Sequence, residues 1–125
     1  MEHRRARRIS AQISALVRHR GVPVAYCATR DISLEGAQLN CGGMGFDPRA
    51  ALEVDFHLEG PAGTRYVRMP AVVMHCADGR LGVLFTSRDP AVLQRLEGLL
   101  DEAEQVAEAS GGAPEAPQAC YSIFL

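Results

Sequence analysis

Between Leu52 and Leu58 the chain alternates without a break. Leu52, Val54, Phe56 and Leu58 are apolar, and Glu53, Asp55 and His57 between them are charged or polar. A two-residue period sends successive side chains to opposite faces of a strand, so this segment predicts a half-buried β-strand with its polar face in water. The same parity recurs along the chain. Ile9, Ile13, Ala15 and Val17 alternate with Gln12, Ser14 and Arg18. A second strand follows Gly21 and Pro23 over about Val24 to Asp31, and Ala37, Leu39 and Cys41 alternate in a third. Gly42 to Arg49 reads as a loop, and Gly60-Pro61 as a hairpin turn. Tyr66 to Cys76 is extended, with Pro70 marking a bend, bulge or edge. Asp78-Gly79 is a strong two-residue hairpin signal that returns the chain through Leu81, Val83 and Phe85.

The period changes at Asp89-Pro90, which reads as an N-cap followed by proline in the first helical position. Val92, Leu93, Leu96, Leu99, Leu100 and Ala103 then fall on one helical face. The fold expected is mainly β: a six- to seven-stranded antiparallel barrel with a C-terminal α-helix. The helix would bury its stripe on a barrel mouth or on a second copy, so a homo-oligomer stays open. The 125 residues suit one domain, divided as a flexible Arg-rich arm (1–8), the barrel with its helix (9–108) and a flexible tail (109–125). The tail ends in an apolar tip, Cys120 to Leu125, readable as a disordered terminus or as a tethered docking peptide.

Several function classes lose support here. No apolar run is long enough to span a bilayer, and the Arg-rich start does not lead into a signal-peptide core. Cys27, Cys41, Cys76 and Cys120 include no Cys-x-x-Cys pair, so the expectation is free thiols in a reducing cytoplasm. His75-Cys76 lacks metal-ligand spacing, and no metal site is expected. No nucleophile–base arrangement stands out, which leaves no catalytic residues and no cofactor to assign. Gly42-Gly43-Met44-Gly45 lacks the lysine and hydroxyl of a phosphate loop. His57, on the outward parity, reads as solvated.

Charge is distributed unevenly. Met1 to Arg30 holds seven arginines and one acid, whereas Asp89 to Leu125 holds seven acids and one arginine; there is no lysine. A basic start suggests an anionic partner. Nucleic acid is disfavoured by the acidic helix, the net charge of −2 and the absence of Trp.

Two elements remain. Arg4-Arg5-Ala6-Arg7-Arg8 precedes the first strand, and Asp31-Ile32-Ser33-Leu34-Glu35-Gly36 joins the second to the third. Alone, the first is a solvated tail and the second an ordinary turn, in which Asp and Ser bond nearby N–H groups and Gly supplies a positive φ. In sequence, Arg-x-x-x-Arg (Arg4 to Arg8), two strands and Asp-x-Ser-x-x-Gly-Ala resemble the PilZ family, bacterial receptor domains for cyclic di-GMP. The Val72-Val73 strand, the Gly79 to Phe85 strand and the Leu-rich helix add to the likeness, which covers about residues 3 to 100.

The resemblance implies a cyclic di-GMP site of Arg4, Arg5, Arg8, Asp31, Ser33 and Gly36. The chemistry suits that ligand: guanidinium forks onto phosphate or a guanine edge, and a carboxylate accepts from guanine N–H groups. The arm would fold over the ligand and so present a new surface to an effector protein in trans. Family members often carry another arginine just before Arg-x-x-x-Arg. Here that position is His3, leaving one or two ligands per domain open. The alternative is a PilZ-like adaptor, for example in pilus assembly, that binds no nucleotide.

Overall fold

The computed structural model describes residues 8–61 and 63–109. Six antiparallel strands are present: β1 (Ser14–His19), β2 (Val22–Ile32), β3 (Gly36–Asn40), β4 (Ala51–Gly60), β5 (Gly63–Ala77) and β6 (Arg80–Phe85). They close into a barrel in the order β1-β2-β3-β6-β5-β4. A helix, α1 (Pro90–Ala109), follows.

The two-residue parity becomes the barrel wall. Ile13, Ala15 and Val17, Leu39, Leu52, Val54 and Phe56, Val67, Met69 and Val73, and Leu81 and Val83 all point inward and are buried. The first segment is shorter as a strand than the alternation suggests. Ile9 makes an isolated antiparallel bridge to Ile32 before β1 begins at Ser14. Two-residue turns close two hairpins. Arg20-Gly21 (φ 55° and 79°) joins β1 to β2, and Asp78-Gly79 (φ 58° and 78°) joins β5 to β6; paired positive φ angles match the right-handed twist of the flanking strands.

Pro70 sits within β5 opposite Glu53 of β4. On its other side β6 pairs no further than Ala71–Phe85, and Pro70 accepts a hydrogen bond from the Thr86 N–H. Its missing N–H therefore falls at the end of a neighbouring strand, a local edge in a closed barrel. The β5 bulge itself lies further on, between Val73 and His75.

The helix begins as its sequence predicts. The Asp89 carboxylate accepts a hydrogen bond from the Ala91 N–H at 3.0 Å, which satisfies an N-terminal donor. Leu96, Leu99, Leu100 and Ala103 are fully buried and join the barrel core, with α1 packed on β4 and β5. This part of the stripe is thus covered within the chain, while Val92 and Leu93 at its start are only partly buried. Arg65 and Glu102 tie the helix to the β4–β5 hairpin at 2.6 Å.

Three expectations are corrected. Cys27 and Cys41 are not free thiols but form a disulfide. They stand one step beyond the Ala28–Asn40 pair of β2 and β3, both point into the core, and their Cα atoms are 4.7 Å apart. That is the close spacing of a non-hydrogen-bonded antiparallel pair. Pairing by strand register cannot be seen in cysteine spacing. Cys76 is a free thiol, and Cys120 lies outside the described residues.

Asp55 is on the outer face of β4 yet only 2 % exposed. Arg18 of β1 (2.7 Å) and Arg68 of β5 (2.6 Å) donate to its two oxygens from either side. Burial by itself pushes this carboxyl's pKa up; the hydrogen bonds and positive charges of Arg68 and Arg18 together outweigh it and hold the pKa below the usual value. His57 is likewise not simply solvated. Its ring lies between Tyr26 and Tyr66, and its Nε2 is 3.1 Å from the Tyr26 hydroxyl.

Candidate functional site

The β2–β3 connection and the start of the described chain meet at one end of the barrel. Antiparallel alternation alone would not have produced this surface. Cys27 and Thr29 point inward, so strict parity would bury Asp31 as well. The β2–β3 register pairs Thr29 with Leu39 and Asp31 with Gln38. Arg30 is the extra residue of a β-bulge, which reverses the parity beyond it. Ile32 therefore enters the core at 0 % exposure while Asp31 turns outward, about a third exposed.

Thr29, just before the bulge, anchors the incoming segment. Its hydroxyl donates to the Ala11 carbonyl at 2.6 Å and accepts from the Ile13 N–H at 2.9 Å. The Thr29 N–H donates to the Ile13 carbonyl, and Ile9 and Ile32 exchange two backbone hydrogen bonds. Residues 9–13 are thereby laid along the end of β2. That places Arg8 beside Asp31, with Nη1 2.6 Å from Oδ1. The Arg8 side chain is 59 % exposed; among the described residues its bond to Asp31 uses one of the five guanidinium donors. An ion pair this exposed contributes little to stability, about 1 kcal/mol or less, and a ligand can displace it cheaply.

The turn after Ile32 is held from within. Ser33 is buried; its N–H donates to the Gly36 carbonyl at 2.9 Å, and its hydroxyl oxygen accepts from the Glu35 N–H at 3.1 Å. The Glu35 carbonyl accepts from the Phe85 N–H at 2.8 Å, locking the turn to β6. Gly36 does not supply the positive φ expected of it. Its need for glycine is steric: a Cβ there would collide with the Val83 carbonyl oxygen of β6. Of the six residues singled out from sequence, Arg8 and Asp31 face outward together, and Ser33 and Gly36 build the turn beside them. Arg4 and Arg5 lie outside the described residues.

Sequence reasoning missed the Arg30 bulge and the Arg18–Asp55–Arg68 cluster. Only strand register reveals that Arg18, Asp55 and Arg68, scattered along the chain, neighbour one another on β1, β4 and β5. Among the described residues no His, Cys, Asp or Glu cluster could hold a metal ion, and no helix is long and apolar enough to cross a membrane.

Comparison with known proteins gives a consistent fold. The PilZ domain of CeSA from a cellulose-synthesizing bacterium superposes with a TM-score of 0.65 at 20 % identity, covering 78 % of this chain and 98 % of that one. The PilZ domain of YcgR from Escherichia coli, solved with c-di-GMP, gives 0.62 at 18 % identity over 86 % and 96 %. The Bacillus subtilis inhibitor of motility MotI/DgrA gives 0.63 at 16 % identity over 82 % of this chain and half of that one. No curated protein matches the chain. The PilZ domain family model matches residues 2–102, and with the six-stranded barrel and closing helix this establishes that the chain belongs to the PilZ domain family.

Proposed function

We propose that this domain is a non-enzymatic receptor for cyclic di-GMP that acts on an effector protein in trans. The observation that carries the reading is the Arg8–Asp31 contact. It joins the last arginine of Arg-x-x-x-Arg to the first residue of Asp-x-Ser-x-x-Gly in one exposed surface. Arg8 turns its spare donors to a phosphate or a guanine edge, and Asp31 accepts from guanine N–H groups. Ser33 and Gly36 act through the turn: the hydroxyl fixes its shape, and the bare Cα lets β3 sit tightly on β6.

Arg4 and Arg5 complete the grip from the preceding segment. In this reading ligand binding orders that segment, at a free-energy cost drawn from the gross interaction, and the covered surface becomes the signal. The kinship of the chain with ligand-binding barrels supports this reading, as does its supply of arginine without lysine.

The test is displacement of a fluorescent cyclic di-GMP analogue by unlabelled cyclic di-GMP, with GTP as control. Cyclic di-GMP competes and GTP does not. Asp31→Ala weakens binding at least about tenfold, the loss expected for a charged hydrogen bond. Absence of binding by folded wild-type protein would return the domain to the class of ligand-free adaptors.

A further inference from the structure

Beside the Ser33–Gly36 turn an open groove of about 750 Å³ runs between the end of β6 and the first half of α1. Its apolar lining is Leu34 from the turn, Leu84 and Phe85 from β6, and Pro90 and Leu93 from the helix; Glu35 and Arg88 are among its polar lining residues. Leu84 is 44 % exposed, and Leu34 and Leu93 are only partly buried against the core. Leu34 and Leu93 belong to the edge of the core and Leu84 lies outside it, while Phe85 is buried beneath them.

The chain also contains an apolar segment outside the described residues. Tyr121, Ile123, Phe124 and Leu125 follow a spacer rich in Gly, Ala and Pro that starts at Ser110. From Ala109 back to the level of Leu93 is sixteen helical residues, roughly 24 Å at 1.5 Å per residue. The ten residues from Ser110 to Ala119 span up to about 33 Å when extended. The tip therefore reaches the groove with length to spare. A tether of that length supplies an effective concentration of order millimolar, so even a weak apolar contact is populated within one molecule.

We infer that the Cys120–Leu125 segment docks in the groove between α1 and the Ser33–Gly36 turn of its own chain. Leu34 and Glu35 belong both to the groove and to the turn assigned above to the nucleotide. Ligand and tail thus meet at one turn; that consequence rests on the proposed function, whereas the docking does not.

The chain contains no Trp, which makes the test direct. Phe124→Trp in the full chain, without nucleotide, places a single reporter on the tip. Docking gives emission shifted to the blue of free tryptophan, independent of protein concentration, and Leu93→Asp in the same background returns it to the solvent value. Should Leu93→Asp not keep the far-UV circular dichroism of the parent, Leu34→Asp on the facing wall takes its place. Solvent-like emission in Phe124→Trp alone overturns the inference. So does a blue shift that survives a folded groove variant, and so does one that grows with concentration, which would place the tip on a second copy. None of these outcomes bears on whether cyclic di-GMP binds.

Discussion

Replacing Gly36 by alanine separates what this residue does for the barrel from what it does for a ligand. The added Cβ meets the Val83 carbonyl oxygen, a backbone atom that cannot rotate away. Relief requires β3 to move from β6, and both sides resist. Ala37 and Val83 are paired in the next ladder position, and the turn is held by the Ser33 N–H to Gly36 carbonyl and Phe85 N–H to Glu35 carbonyl bonds. Overpacking of a well-filled site costs about 1–3 kcal/mol, and weakening one of these hydrogen bonds adds about 1 kcal/mol. A loss of about 2–4 kcal/mol is expected. For a folded unit of about 100 residues, each kcal/mol lowers Tm by roughly 4–8 °C, so Gly36→Ala should melt at least about 8 °C below wild type. Urea unfolding followed by circular dichroism measures it, with the midpoint falling and the slope unchanged. A variant with the wild-type midpoint that no longer binds nucleotide would refute the steric argument and return Gly36 to direct ligand contact. Binding is compared below the melting range of the variant, where both proteins are folded.

Other expectations follow from single features. Asp55 has a folded pKa below its unfolded value, so its contribution to stability is complete above about pH 4 and lost as pH falls through the folded pKa; Asp55→Asn should flatten that acid limb in pH-dependent urea titrations. Arg18→Ala leaves the nearly buried carboxylate with Arg68 alone and should cost about 1–3 kcal/mol in the same assay. Reducing Cys27–Cys41, which closes a short loop, should lower stability by about 2–3 kcal/mol with the native circular dichroism retained, because both thiols remain small core side chains. Asp89→Ala removes the cap on Ala91 and should cost about 1 kcal/mol by thermal melting.

What the sequence revealed and what it hid divide along a physical line. Parity is local, so the alternation at Leu52–Leu58 and Leu81–Phe85 pointed to the correct inward faces. The Asp89-Pro90 cap and the Asp78-Gly79 turn are equally local and appear where their chemistry placed them. Register is not local. The cysteine pair, the Arg18–Asp55–Arg68 cluster and the steric need for Gly36 all depend on which residue stands opposite which across two strands. The bulge at Arg30 is the most instructive case. One residue outside the ladder reverses the parity of everything after it and turns Asp31 from a core position into a surface one. The sequence marks Asp31 as polar, and it took the register to show how a strand with Cys27 and Thr29 inside could present it. The roles of Arg4 and Arg5 are implied by the family resemblance, and their place in the site is a proposal.

The central claim is that Arg8 and Asp31 form a nucleotide-binding surface. Calorimetric titration of the full chain with cyclic di-GMP, beside Arg8→Ala and a GTP control, tests it most directly. Wild type should bind saturably without responding to GTP, and Arg8→Ala should bind at least about tenfold more weakly, with the stoichiometry deciding between one ligand and two at a site that begins with His3. Absence of binding by wild type, or binding that Arg8→Ala leaves unchanged, would contradict it.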